Sequence, residues 1–153
     1  MAKKHQLRIL KTSDILIGAL LRAPSQAIHR RIIQELNAAG FDELRLPHIA
    51  VFQFPGPDGV RPTVLAERAG ISKQAMNQLL KSLEGFGYLQ RANVKDEGRT
   101  RVVRLTRRGH NAYLRIYDIL LKIEDEWAAE LGPKQFAQFK KLLARIWDGP
   151  LLK

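Results

Sequence analysis

The sequence predicts a mainly α-helical fold with one small β-wing, and three features of it carry that expectation. Apolar residues recur at threes and fours along most of the 153 positions. Glycine or proline closes the helical runs at Gly40, Gly70, Gly132-Pro133 and Gly149-Pro150. Between Tyr88 and Thr106 the spacing changes to alternation around a charged turn. No repeat, low-complexity tract or flexible linker divides the chain, so residues 1–153 are expected to form a single domain.

Met1 to Thr12 is a basic leader, with Lys3, Lys4, His5, Arg8 and Lys11, of a kind usually packed loosely. From Ser13 to Gly40, Ile15, Leu16, Leu20, Leu21, Ala27, Ile28, Ile32, Ile33 and Leu36 keep a helical spacing. Pro24 is expected to break or kink this helix near Arg22. Around Ile15 to Leu21 the helix is apolar on more than one side, an excess that fits burial against a second chain. Asp42 to Phe52 predicts a second short helix, with Leu44, Leu46, Ile49, Ala50 and Phe52 as its apolar positions, and Phe54-Pro55-Gly56-Pro57-Asp58-Gly59 a turn-rich loop.

The stretch from Gly59 to Thr106 organises the rest. Pro62 suits a first helical position, Val64, Leu65 and Ala69 supply an apolar face, and Gly70 suits the left-handed conformation that ends a helix. Ile71 plugs the turn and Ser72 caps the helix that follows. At about 100° per residue, Met76, Leu79, Leu80 and Leu83 fall on one side of that helix and Gln74, Asn77, Gln78 and Lys81 on the other. Acidic residues are absent between Ile71 and Ser82. Solvated faces are mostly Glu and Lys, whereas Asn and Gln amides can pair bidentately with adenine in a major groove. Two strands follow, Tyr88 to Val94 and Thr100 to Thr106, around Lys95-Asp96-Glu97-Gly98-Arg99. From Arg91 to Arg108 seven basic residues face only Asp96 and Glu97, a balance suited to a phosphate backbone or a narrow minor groove.

Two helices close the chain. Thr106 is placed to cap the first, on which Tyr113, Ile116, Tyr117, Leu120, Ile123, Trp127 and Leu131 recur at threes and fours. Gly132-Pro133 ends it and starts the second, whose stripe is Phe136, Phe139, Leu142, Leu143, Ile146 and Trp147.

These residues resemble the MarR-type transcriptional regulators, through the segment LAERAGISKQAMNQLLKSLEGFGYL, the basic wing, and Leu105-Thr106-Arg107-Arg108-Gly109 leading into a long helix. The likeness implies a winged helix-turn-helix at 59–106 between dimerisation helices at 13–40 and 107–148. It also implies a homodimer, repression more often than activation, and an effector pocket between the two parts, for which His48, Phe52 and Phe54 are candidates beside their plainer role as core and loop residues. Two departures stand out. The wing reads Asp96-Glu97-Gly98-Arg99-Thr100-Arg101, without the family's adjacent arginines, which leaves open whether Arg99 or Arg101 enters the groove. Arg61 replaces the small capping residue before the proline.

Composition sets the outer limits. With 45% apolar residues the chain is expected to fold, and no long uncharged apolar run suggests a membrane span. Lys11, Asp14 and Arg22 interrupt the N-terminal apolar run and no clean cleavage site follows, so a cytoplasmic, nucleoid-associated protein is expected. The formal charge of +11 suggests a polyanionic partner without naming it. The sequence has no cysteine, and His5, His29, His48 and His110 lack ligand spacing. No nucleophile elbow, phosphate-cradling loop or paired-histidine motif is present, so neither catalysis, a cofactor nor a bound metal is expected.

The expected function is sequence-specific binding of double-stranded DNA by a homodimer on a pseudo-palindromic operator, as a regulator. Gln74, Asn77 and Gln78 are candidates to read base edges, Ser72, Lys73 and Lys81 to hold phosphates, and Arg99 and Arg101 to extend the wing. A non-specific architectural DNA-binding protein and a winged-helix protein-docking module are the alternatives.

Overall fold

The computed structural model describes residues 15–53, 59–93, 101–147 and 149. Among them the order is α1 (Ile17–Ala38), α2 (Leu46–Phe52), α3 (Pro62–Ala69), α4 (Lys73–Gly85), β1 (Leu89–Asn93), β2 (Arg101–Leu105), α5 (Arg107–Leu131) and α6 (Pro133–Trp147). The two strands pair antiparallel with Leu89 opposite Leu105 and Asn93 opposite Arg101. The core lies where α2, α3, α4, the hairpin and the first half of α5 meet, and Leu44, Leu65, Met76, Leu80, Leu83 and Tyr88 are fully buried there. None of the described helices is long and apolar enough to cross a membrane.

The helix α1 has two different halves. Its C-terminal half buries Ile32 and Leu36 against α5. Arg31 ties it to α5 by bonding Glu126, and Glu35 accepts from Arg31 and from Arg115, the latter at 3.3 Å. The Arg31 guanidinium holds both carboxyls below the usual carboxylate range. In the N-terminal half Leu16, Ile17, Leu20 and Leu21 are exposed. Of the break or kink expected at Pro24, the break does not occur: α1 runs through Pro24 from Ile17 to Ala38. The proline forfeits one bond to the Leu20 carbonyl. Residues 20–23 and 25–27 are all exposed, so water can satisfy that carbonyl while the helix continues on both sides.

The helix α2 is shorter than its apolar pattern suggested, starting at Leu46 instead of Asp42. A helix from Asp42 would drive the Pro47 ring into the carbonyl of Glu43. The chain turns there instead, with Leu44 buried outside any helix, and Pro47 falls in the first turn where its missing N–H costs nothing. His48 fixes the start, its Nδ1 accepting the Arg45 backbone N–H at 3.0 Å. Only a neutral imidazole with its proton on Nε2 can do this.

His48 is buried, and burial followed by the nearby Arg45 charge lowers its pKa from 6.5. The unfolded chain therefore takes up the proton first as pH falls. The contribution of His48 to stability is complete above 6.5 and declines as pH drops below it towards the lowered folded value. Urea midpoints measured from about pH 7.5 to about pH 5 should fall, and His48→Asn, which keeps an acceptor without a titrating group, should flatten that fall. An equal fall in the variant would remove His48 as the cause.

Candidate nucleic-acid interface

The segment from α3 to α4 folds as a helix-turn-helix for reasons written in its turn. Gly70 takes φ 65°, ψ 29°, its N–H bonding the Glu67 carbonyl while that of Ile71 reaches back to Ala66. These bonds satisfy carbonyls that the end of α3 would leave orphaned. The Ser72 Oγ then accepts the Ala75 N–H at 3.1 Å and caps α4. Arg61, in the N-cap position of α3, makes no side-chain cap bond, and Pro62 opens the helix.

One face of α4 buries Met76, Leu80 and Leu83 completely, with Leu79 half-buried. The opposite face carries Lys73, Gln74, Asn77, Gln78 and Lys81, every one exposed. Three amides and two ammonium groups thus project from the N-terminal two-thirds of a helix anchored by its apolar back. The positive end of the helix dipole lies on the same side of the chain as Ser72 and Lys73. Glu84, the first acidic residue after the face, lies near the other end and is paired with Arg91 of β1 at 3.1 Å.

Beside this unit stands the wing. Val102, Val103 and Leu89 are buried, while Gln90, Arg91 and Arg104 face solvent. Val60, just ahead of α3, bridges to Val103 through bonds of 3.1 and 2.9 Å, adding a third partner at the middle rung of the stem. A single bridging residue leaves no alternating pattern, so the sequence carried no sign of it. Arg101 opens β2, and Arg99 lies outside the described residues.

Behind the wing, Arg108 is not free to serve it as a solvated cation. Its Nη2 donates to both carboxylate oxygens of Glu43, at 2.7 and 2.9 Å, and its Nη1 to the Phe86 carbonyl at 2.9 Å. Tyr88 donates its hydroxyl to Glu43 at 2.9 Å, with the guanidinium of Arg108 4.6 Å above the ring centre. The Glu43 carboxyl is held below its usual range, first by a backbone hydrogen bond and then by Tyr88 and Arg108. Burial, followed by that carboxylate, pushes the Tyr88 hydroxyl up to about 12.

Of the residues considered for an effector pocket, His48 and Phe52 are packed inside, the Phe52 ring meeting Tyr88 edge-on at 6.2 Å, and Phe54 lies outside the described residues. A cavity of about 600 Å³ at the start of α2 is lined instead by Gln26, His29, Arg30, Ile33 and Gln34 of α1 with Arg45 and Leu46. No group of three or more His, Asp or Glu residues among the described ones is gathered to hold a metal ion.

No protein-family model matches the chain. It is similar to the HTH-type transcriptional repressor Rv2887 of Mycobacterium tuberculosis, 26% identical over 134 residues that cover 87% of this chain and 94% of the relative. Among solved structures, that of the transcriptional regulator PA3341 superposes with a TM-score of 0.71 at 20% identity, over 86% of this chain and 96% of the other. The M. tuberculosis MarR family protein Rv2887 in complex with DNA gives 0.63 at 25% identity, covering 87% and 98%. The same protein with salicylic acid gives 0.63 at 26%, covering 89% and 99%. Sequence relatives and structural neighbours converge on the architecture assembled above from its residues: the chain has a winged helix-turn-helix fold similar to that of MarR family proteins.

Proposed function

We propose that the chain, a single domain over residues 1–153, is a transcriptional regulator that binds double-stranded DNA as a homodimer on a pseudo-palindromic site. The two copies of α4 would enter successive major grooves about 34 Å apart, one helical turn. The observation that carries this reading is the outer face of α4, where Gln74, Asn77 and Gln78 are exposed on a helix whose back is locked into the core. Those amides read base edges, and Lys73 and Lys81 hold the flanking phosphates. Ser72 accepts its capping bond through a lone pair, which leaves the hydroxyl proton for a phosphate at the helix start. Arg99 and Arg101 extend the contact from the wing.

The dimer is supported by apolar surface that one chain leaves in water. Leu16, Ile17, Leu20 and Leu21 of the α1 end are exposed, as are Phe139, Leu142, Ile146 and Trp147 of α6. Large apolar side chains left exposed in this number on two helices favour an interface with a second copy. A dimer also supplies the regulation, because anything that changes the separation of the two α4 helices changes how well both meet their grooves. A small molecule acting in this way is part of the proposal, supported by the salicylic acid complex of the mycobacterial relative. Repression follows from occupying a promoter, and the repressor names of the relatives support that sign over activation.

The formal charge of +11 favours a second reading, in which the same fold coats DNA without preference. Selection of bound fragments from random duplexes, followed by anisotropy titration, separates the two. A regulator should prefer its selected site by about 10³-fold or more, whereas an architectural protein binds both alike. On the selected site Asn77→Ala is expected to cost about 1–3 kcal/mol and to leave random duplexes nearly unchanged. An equal loss on both would end the assignment of Asn77 to base reading.

A further inference from the structure

The triad of Glu43, Tyr88 and Arg108 joins three parts of the chain that the fold could otherwise let move separately. Arg108 is the second residue of α5, Tyr88 follows the end of α4, and Glu43 lies between α1 and α2. The joint is denser than the triad alone. The Tyr88 carbonyl accepts the Thr106 N–H at 3.0 Å, the Gly87 carbonyl accepts the Thr106 hydroxyl, and the Tyr88 N–H bonds back to Leu83 inside α4 at 2.8 Å. The last turn of α4 is therefore fastened to the first turn of α5, and Glu43 fastens both to the segment leading into α2.

We infer that Glu43, Tyr88 and Arg108 are positioning residues for DNA binding: they set the angle at which α4 leaves the long helix α5, and through it the separation of the two α4 helices. The inference rests on the dimeric DNA-binding reading above. Geometry makes the angle matter. Gln74 lies twelve residues from Phe86, about 18 Å along the helix at about 1.5 Å per residue. A hinge rotation of about 10° at Phe86 would carry Gln74 through about 3 Å, as long as the hydrogen bond it is meant to make. The contacts suit a hinge stop. The Arg108 guanidinium is held at two of its nitrogens, Nη2 by both Glu43 carboxylate oxygens and Nη1 by the Phe86 carbonyl, which fixes its direction as well as its distance, and the Tyr88 ring under it blocks sliding.

The sign of one substitution separates positioning from plain electrostatics. Glu43→Gln removes a negative charge and raises the formal +11 by one. If Glu43 acted on DNA only through its charge, the variant would bind every duplex more tightly. As part of the joint, it should bind the selected duplex about threefold to tenfold more weakly, the partly exposed pair tempering the loss. Tyr88→Phe changes no charge and keeps the ring, and should weaken binding in the same direction by about threefold.

The experiment is anisotropy titration of the full chain and both variants against the selected duplex, a random duplex, and versions of the selected duplex with one base pair added or removed between half-sites. Circular dichroism melting and elution volume establish that each variant is folded and assembled as the parent is. The expected result is a loss confined to the selected duplex, with a narrower spread among the three half-site spacings. A folded Glu43→Gln that binds the selected duplex as tightly as the parent, or more so, overturns the inference and leaves the function standing. Should Glu43→Gln fail to fold, Tyr88→Phe decides alone: an unchanged spread of spacings overturns the inference. A parent chain with no preference among duplexes overturns the regulator reading and the positioning role with it.

Discussion

Gly109→Ala is expected to destabilise the protein by about 3 kcal/mol, at the upper end of what an added methyl costs in a packed site. Gly109 lies in the first turn of α5, where a Cβ would stand 2.0 Å from the Tyr88 carbonyl oxygen and 3.0 Å from its carbon. Neither atom can retreat cheaply. That oxygen accepts the Thr106 N–H, and Tyr88 is fully buried beneath it. Relief would require α5 to lift from the end of α4, breaking the joint on which DNA reading is proposed to depend. The reason is space alone, since Gly109 is helical with an ordinary φ. Gly85 is the control: it too is helical, nothing lies within 4 Å of its would-be Cβ, and alanine there should be neutral or slightly stabilising. Urea midpoints for the two variants check the contrast, and comparable midpoints would show that α5 has room to shift.

Leu142→Glu should have the largest effect on DNA binding. Leu142 is 48% exposed on α6, between Phe139 at 37% and Ile146 at 40%, so a carboxylate there meets no core of its own chain. Against a second copy it would be desolvated without a partner. The variant is expected to run as a folded monomer in light scattering. Its affinity for the selected duplex should fall by about 10²-fold or more, because the second α4 no longer binds at the effective concentration that tethering provides. Affinity for isolated half-sites should barely change. A variant that stays dimeric with unaltered affinity would place the interface on another face.

How much of this was legible in the sequence depended on whether the cause was local. The helix-turn-helix could be read because each of its parts acts within a few residues: Gly70 for the left-handed turn, Ser72 for the cap, and a leucine and methionine stripe at helical spacing. Thr106 and Gly132-Pro133 were legible on the same grounds. Pro24 does not end the helix, because a proline sets a cost that exposed flanking turns can absorb, and its neighbours' exposure is not written in the chain. The start of α2 misled because the apolar spacing continues through a position where Pro47 forbids a helix. The triad was invisible for a different reason. Its members lie 45 and 65 positions from Glu43, and Arg108 read naturally as one more cation of a basic wing. Charge runs describe solvated surfaces well, and miss the arginine that a distant carboxylate has already claimed.

The bridge between Val60 and Val103 sets a limit on how this protein can accommodate different duplexes. With N–H and C=O of Val60 and Val103 bonded in both directions at the middle rung of the stem, tilting the stem without carrying the start of α3 along would rupture two hydrogen bonds. Stem and helix pair must travel as one rigid body. Accommodation to a groove of unfamiliar width then falls to the elasticity of the DNA itself, so stiff and pliant sequences of equal base contacts should be told apart by what it costs to bend them.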